Sequence, residues 1–218
     1  MTPPLTPSLE DYLETIYLLQ KGKNEARVRD IATARGVKAS SVSPALKRLS
    51  EMGLLAYVQR ESIQLTEEGK IAARRVYAKH ILLFQFFHDI LGMDAEKARE
   101  EACGLEHALS DDGMDRFARF FESRTLCTTD SNDPPCALCT MHENIPHTTL
   151  DQIQDGSCVT VAQIRASGPT RQAILDMGIL PNVTLTRRAT NKDKILIEIE
   201  HHELTLSLEQ IKAIVVTF

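Results

Sequence analysis

The stretch that decides the fold runs from Arg27 to Leu55, RVRDIATARGVKASSVSPALKRLSEMGLL. Ile31, Ala32 and Ala34 lie on a short helix that Gly36 stops. After a brief turn, a second helix carries Val42, Ala45, Leu46 and Leu49 inward, and Gly53 closes it. Two short helices about a glycine turn form a helix-turn-helix pattern. The next residues, LLAYVQRESIQLT (54–66), read as two short strands around Gln59–Ser62, a hairpin placed as a wing. Pro44 is comfortable only in a helix's first turn, so the second helix should begin near Ala39–Ser41. A short, Ser/Lys/Arg-rich second helix with a wing points to duplex DNA. Ser40, Ser41 and Ser43 can reach phosphates or base edges, and Lys47 and Arg48 the backbone. Pro44 offers only apolar contact, and Arg27, Lys38 and Arg60 complete the candidate DNA-binding set.

Charge agrees with this placement. The whole chain of 218 residues is net −5, yet its first 65 residues carry nine Lys/Arg against seven Asp/Glu. The small basic excess therefore sits with the motif, and the rest of the chain is acidic. The absence of Trp and the 5% aromatic content argue against an aromatic-lined sugar or single-strand groove. No apolar run approaches the roughly 20 residues needed to span a bilayer, and the acidic first 20 residues do not read as a signal peptide. Five cysteines, none in a disulfide-scaffold spacing, suggest a reducing cytoplasm.

Upstream, SLEDYLETIYLLQKG (8–22) is an amphipathic helix, with Ser8 placed to cap it and Asp11 at the capping-box position. Downstream, a long helix from Glu67 to about Leu91 carries more apolar surface than one layer needs. Helices at about 94–109 and 112–121 follow, and the excess apolar surface suggests a dimer interface. From Glu122 to Leu150 the chain reads as a Ser/Thr/Asn/Pro-rich linker without periodicity. After it, SCVTVAQIR, VTLTRR, KILIEIE, ELTLS and AIVVTF alternate as five short strands, with one helix at PTRQAILDMG. Such a segment makes a small β-barrel, with Cys158 in its core. The expected fold is mainly α with small β parts. Its domains are a winged helix-turn-helix (1–66), a helical metal-binding and dimerisation domain (67–123), a Cys-containing linker (124–149) and an SH3-like barrel (150–218).

The most informative chemistry is EACGLEH (101–107). Cys103, Glu106 and His107 stand at i, i+3 and i+4, so one helical face presents a thiolate, a carboxylate and an imidazole. These are donors for a first-row transition metal. Asp11 and Glu14 are paired in the same way on the first helix, and His80 lies on the long helix. Each residue alone has a plainer reading, Cys103 as a small buried hydrophobe and Asp11 as a cap. Six donors from three helices beside a winged helix favour a metal site. In the linker, Cys136 and Cys139 have metal-clip spacing, with Cys127 and His142 nearby. They suggest a zinc site, an iron–sulfur cluster or a redox switch.

Together, SLEDYLETIYLL, the helix-turn-helix, VYAKH and EACGLEHALSDD resemble the diphtheria-toxin-repressor family, which includes iron-dependent and manganese-transport regulators. RQAILDMGILPN resembles the FeoA-type SH3-like domain of iron-transport accessory proteins. The resemblance implies a homodimer that binds a palindromic operator when loaded with Fe(II) or Mn(II), repressing metal-uptake genes. It also implies ligands at Asp11, Glu14, His80, Glu106 and His107, which match the manganese type. Cys103 matches the iron type instead, whereas Asp11 departs from that type's Met. Phe84 stands where the iron type has an ancillary-site Glu, which sends His80 toward a manganese-type second ion. Iron is favoured because the Cys103 thiolate is a softer donor than the carboxylate of the manganese type. Without metal, the facing carboxylates are expected to repel and the DNA-binding heads to move. The competing readings are a redox- or iron–sulfur-sensing regulator acting through the linker cysteines, and a ferrous-iron transport accessory protein. An enzyme is not expected, since no nucleophile elbow, HExxH or phosphate loop appears.

Overall fold

A computed structural model describes residues 5–23, 26–56, 63–125, 147–191, 194–199 and 202–218. The chain divides into two compact units, Met1–Ala108 and Leu109–Phe218.

In the first unit, helix α1 (Pro7–Lys23) leads into α2 (Val28–Ala34) and α3 (Ala39–Glu51). The apolar faces of these helices meet: Leu13, Ile16, Ile31, Val42, Leu46 and Leu49 are fully buried together. Strands β1 (Leu55–Ala56) and β2 (Gln64–Leu65) pair antiparallel as the stem of the wing, and Ile63 bridges back to Ala26. The wing's tip, with Arg60, lies outside the described residues. Gly36 and Gly53 take φ of +63° and +76°, closing α2 and α3 where a side chain would be strained.

Two expectations change here. The first helix starts at Pro7, and the N–H groups of Leu9 and Glu10 bond to the Thr6 carbonyl. Ser8 is therefore inside the helix and not its cap, which frees Asp11 from a capping role. Helix α3 does begin at Ala39, but Pro44 sits a full turn further in than the first turn. It cannot donate to the Ser40 carbonyl one turn back, a local cost borne on an exposed face.

Helix α4 (Glu67–Gln85) is capped by Thr66, whose hydroxyl accepts from the Gly69 N–H. Gly69 is required by proximity, since a Cβ there would lie 2.0 Å from the Leu54 carbonyl oxygen. The long helix continues as a π-helical turn, Phe86–Ile90, before Gly92 ends it at φ +68°. Helix α5 (Ala95–Leu105) is capped by Asp94.

The second unit begins with α6 (Asp111–Thr125), which packs on an antiparallel sheet of order β3-β8-β4-β5-β6-β7. The strands are β3 (Thr148–Thr149), β4 (Cys158–Ile164), β5 (Thr184–Asn191), β6 (Lys194–Ile199), β7 (His202–Ser207) and β8 (Ile214–Thr217). All five strands read from the sequence are present. Among the described residues no ladder joins β3 to β7, so the expected barrel is not closed by hydrogen bonds. Helix α7 (Gly168–Asp176) matches the predicted helix. Helix α8 (Leu208–Ala213) was not foreseen, although Ser207 and Gln210 form a capping box. Strand β8 lies between β3 and β4 and is buried along its whole length, with α8 and the turn Leu150–Gln152 also packed against it.

Glu122 does not open a linker. It is buried, accepts from the Ile164 N–H at 3.1 Å, and pairs with Arg171 Nη1 at 3.0 Å. Arg171 Nε also binds Asp115, and Nη1 donates to the Ile164 carbonyl at 2.6 Å. This buried network ties α6 to α7 and β4. Cys158 is exposed, because it opens β4 on the outward side of the strand's alternation.

Candidate metal centre

The donors read from the sequence converge within the first unit. Asp11, Cys103 and Glu106 each present a ligand atom within 4.8 Å of the others, as do Glu14, His80 and Glu106. Two three-donor groups therefore share Glu106. Helical spacing explains the convergence: Asp11 and Glu14 lie one turn apart on α1, and Cys103 and Glu106 one turn apart at the end of α5. Glu106 is the C-cap of α5, and His107 follows in the turn. The one-face arrangement thus holds for Cys103 and Glu106, while the chain leaves the helix at His107.

Glu106 is the centre of the arrangement and is fully buried. Its Oε2 lies 2.7 Å from His80 Nδ1. Its Oε1 is buried with no hydrogen-bond partner, and the nearest cation to it is His107 Nε2, at 3.5 Å. A divalent cation fits that position, because a buried carboxylate oxygen without a hydrogen bond is otherwise costly. The exposed Cys103 lines a cleft of about 670 Å³ with Asp11, His80, Arg99, Glu100, Gly104 and His107.

His107 belongs to neither three-donor group. Its Nδ1 lies 2.7 Å from Glu10 Oε2, and its Nε2 lies 3.0 Å from Asp11 Oδ1. Asp11 Oδ2 accepts a hydrogen bond from Arg35 Nη2 at 2.5 Å. Glu10 and Arg35 escaped the sequence reading. Glu10 is marked only by adjacency to Asp11, and Arg35 by nothing local.

These contacts revise the expected repulsion between carboxylates. His80 faces Glu106 and Glu14, His107 faces Glu10, Asp11 and Glu106, and Arg35 faces Asp11, so cations and protons compensate the acidic cluster. The ionisation follows. Burial, and then the Glu106 charge, push Glu14 up to about 7. Burial acts to lower His80, but its hydrogen bond to Glu106 and the charge of Glu14 outweigh it, and its pKa rises. His107 rises in the same way, against burial, through its bonds to Glu10 and Asp11. Burial and the nearby carboxylates raise the Cys103 thiol. Protons therefore occupy sites that a metal would claim, because metal ligands bind deprotonated.

Phe84, one turn after His80, is packed by the Arg99 guanidinium at 5.5 Å and the His88 ring at 5.3 Å. It contributes no donor there. The linker residues Cys127, Cys136, Cys139 and His142 lie outside the described residues.

Of the residues expected to meet DNA, Ser40, Ser41, Ser43, Pro44, Lys47 and Arg48 are exposed along α3, Lys38 at its N-cap and Arg27 before α2. The inward residues of α3 are Val42, Leu46 and Leu49, so the polar face is left to a ligand. No helix among the described residues is long and apolar enough to cross a membrane.

A winged helix-turn-helix whose first helix shares a transition-metal donor cluster with the helices behind it defines a metal-responsive DNA-binding regulator. Residues 4–63 match the iron dependent repressor N-terminal DNA binding domain, and residues 66–135 that family's metal binding and dimerisation domain. Residues 148–217 match the FeoA domain. The chain is 42% identical over 120 residues to the HTH-type transcriptional regulator MntR of Bacillus pumilus, covering 54% of this chain and 83% of the relative. It is 39% identical over 119 residues to an uncharacterised HTH-type transcriptional regulator of Methanocaldococcus jannaschii, covering 54% of this chain and 95% of the relative. The solved metal-dependent transcriptional regulator MtsR shares the fold, with a TM-score of 0.50 at 23% identity over 98% of this chain and 100% of that one. The chain belongs to the iron-dependent-repressor and MntR family of metal-dependent transcriptional repressors, which are DNA-binding regulators and not enzymes. A transport-accessory role is thereby replaced by regulation, with the FeoA domain as a part of the regulator.

Proposed function

We propose that this chain is a cytoplasmic repressor that binds a palindromic operator as a homodimer when loaded with Fe(II), and that it represses metal-uptake genes. The observation that carries the reading is Glu106, a fully buried carboxylate common to two donor groups that join α1 to α4 and α5. Asp11, Cys103 and Glu106 would hold one cation, with His107 beside them, and Glu14, His80 and Glu106 a second. A bound cation supplies positive charge in place of the protons on this cluster. The residues then act as a clasp: α1, which packs against the DNA-binding helices, is fixed to α4 and α5. The clasp favours one arrangement of two recognition helices, a population shift toward the DNA-binding form. The two helices would enter successive major-groove half-sites about a helical turn apart.

Iron is favoured over manganese by Cys103. Mn(II) gains least from soft donors, and Fe(II) stands above it in the affinity order. The carboxylates leave Mn(II) competent, consistent with the relatives named MntR. The functional division proposed is 1–66 for DNA, 67–123 for metal and dimerisation, 124–149 as linker and 150–218 as the FeoA-like domain, although α6 packs on the C-terminal sheet and β3 is a strand of that sheet. Exposed Ile71 and Leu91, both 56% accessible, give the helical region apolar surface for a partner copy. For the linker, Cys127, Cys136, Cys139 and His142 are proposed as a separate zinc or iron–sulfur site.

The test is fluorescence anisotropy with duplex DNA from upstream of the protein's own gene, titrated anaerobically with Fe(II), Mn(II) or chelator. Metal should tighten binding by at least tenfold, and affinity should fall steeply with salt. Equal affinity in metal and chelator would remove the mechanism.

A further inference from the structure

Arg35 joins the metal-donor cluster to the turn of the helix-turn-helix. It is the C-cap of α2, and its backbone N–H bonds to the Ile31 carbonyl at 2.9 Å. The next residue is Gly36 at φ +63°, and the Val37 N–H returns to the Ala32 carbonyl at 3.0 Å. This closed turn leads directly to Ala39, the first residue of α3. The Arg35 backbone is thus fixed to the start of the recognition helix.

The side chain points the other way. Its guanidinium lies over the Tyr12 ring at 5.5 Å and donates to Asp11 Oδ2 at 2.5 Å. Its Nε is buried without a hydrogen-bond partner, so Asp11 is what holds the group in place. The other Asp11 oxygen faces the cluster: Oδ1 lies 3.0 Å from His107 Nε2, and Glu106 Oε1 lies 3.5 Å from the same nitrogen. One carboxylate therefore has an oxygen for the metal side and an oxygen for Arg35.

We propose that Arg35 is the positioning residue through which the metal cluster is read by the helix-turn-helix. By holding Oδ2, it leaves Oδ1 of Asp11 facing His107, beside Cys103 and Glu106. Any movement of Asp11 on metal binding is passed through Arg35 to the turn before α3. A hydrogen-bonded partner behind a ligating carboxylate is a recurring way to orient it, and losing one typically weakens metal binding ten- to a hundredfold. The proposal rests on the metal-dependent reading above.

Arg35→Met tests it, because the variant keeps the apolar stem over Tyr12 and removes the donor. Arg35→Lys is the conservative partner. Mn(II) affinity is measured by chelator competition, DNA affinity by anisotropy at saturating Mn(II), and the Gly36 amide by NMR during a Zn(II) titration. In the wild type, Zn(II) should shift the Gly36 amide, which lies outside the donor set. In Arg35→Met, Mn(II) affinity should fall about tenfold, the Gly36 shift should disappear, and the Mn(II)-driven gain in DNA affinity at saturation should fall at least tenfold. Arg35→Lys should restore part of each. A full DNA response in Arg35→Met at saturating metal would overturn the proposal. So would a wild-type Gly36 amide that ignores bound Zn(II), a result that needs no variant to fold. A wild type whose Gly36 responds to metal but whose DNA affinity does not would instead overturn the proposed function and leave this link standing.

Discussion

Replacing Glu106 by glutamine separates the two loads that this residue carries. Without metal, Glu106 is a fully buried carboxylate with one oxygen held by His80 and the other, 3.5 Å from His107 Nε2, without a hydrogen bond. Its charge is also the second cause, after burial, of the Glu14 pKa of about 7. A neutral side chain of the same shape removes a buried charge and its repulsion of Glu14, while it weakens the bond to His80. These changes oppose one another: removing one partner of a buried pair costs about 3–5 kcal/mol when the other charge stays, but His80 can give up its proton, and the buried charge beside Glu14 is gone. The metal-free variant should therefore be destabilised by less than about 3 kcal/mol. Metal binding is different, because both donor groups lose the anionic oxygen that they share. Removing a residue behind a ligand costs up to about a hundredfold, so losing the shared ligand should cost at least that, or about 2.8 kcal/mol. Chelator competition with Mn(II) and Fe(II), beside thermal melts in chelator, gives both numbers. Unchanged metal affinity would refute the assignment, and a collapsed metal-free melt with unchanged affinity would make Glu106 a structural residue.

Three further outcomes follow from the same contacts. Cys103→Glu should lower the ratio of Fe(II) to Mn(II) affinity, measured anaerobically by competition, and an unchanged ratio would remove the thiolate from the selectivity argument. Glu14 is raised to about 7 and His80 is also raised, so the metal-free fold binds more protons than the unfolded chain above pH 4.5. Its melting temperature should fall as pH rises from there through about 7, while metal affinity should rise over the upper part of that range and go on rising above it, because the raised Cys103 thiol must also lose its proton to bind. Metal affinity that is flat between pH 6 and 8 would refute it. Glu122→Ala should destabilise the second unit by about 3 kcal/mol in a denaturant melt, since it leaves the buried Arg171 short of a carboxylate and the Ile164 N–H without its acceptor. A change below about 0.5 kcal/mol would show that Asp115 alone suffices.

The sequence by itself determined much of what depends on period and spacing, though not the cap of α1, the departure of His107 from its helix, or α8. Gly36 and Gly53 at the ends of α2 and α3, Val42, Leu46 and Leu49 inward, and the alternating strands β4 to β7 follow from local rules that act within one element. The pairing of Asp11 with Glu14, and of Cys103 with Glu106, is of the same kind, because a helix fixes which side chains stand one turn apart. Tertiary structure decided what stands opposite them. That Glu106 serves both donor groups, that Glu10 holds His107, and that Arg35 reaches Asp11 depend on how α1, α2, α4 and α5 dock. Glu122 reads as the start of a polar linker until Arg171, far along the chain, buries it, and Cys158 reads as core until the strand's facing turns it outward. Local geometry is set by a few neighbouring dihedral angles and is written in the order of the residues. A charge's partner across an interface is set by the packing of whole elements, so the same carboxylate can be cap, linker or ligand until the fold places its neighbour.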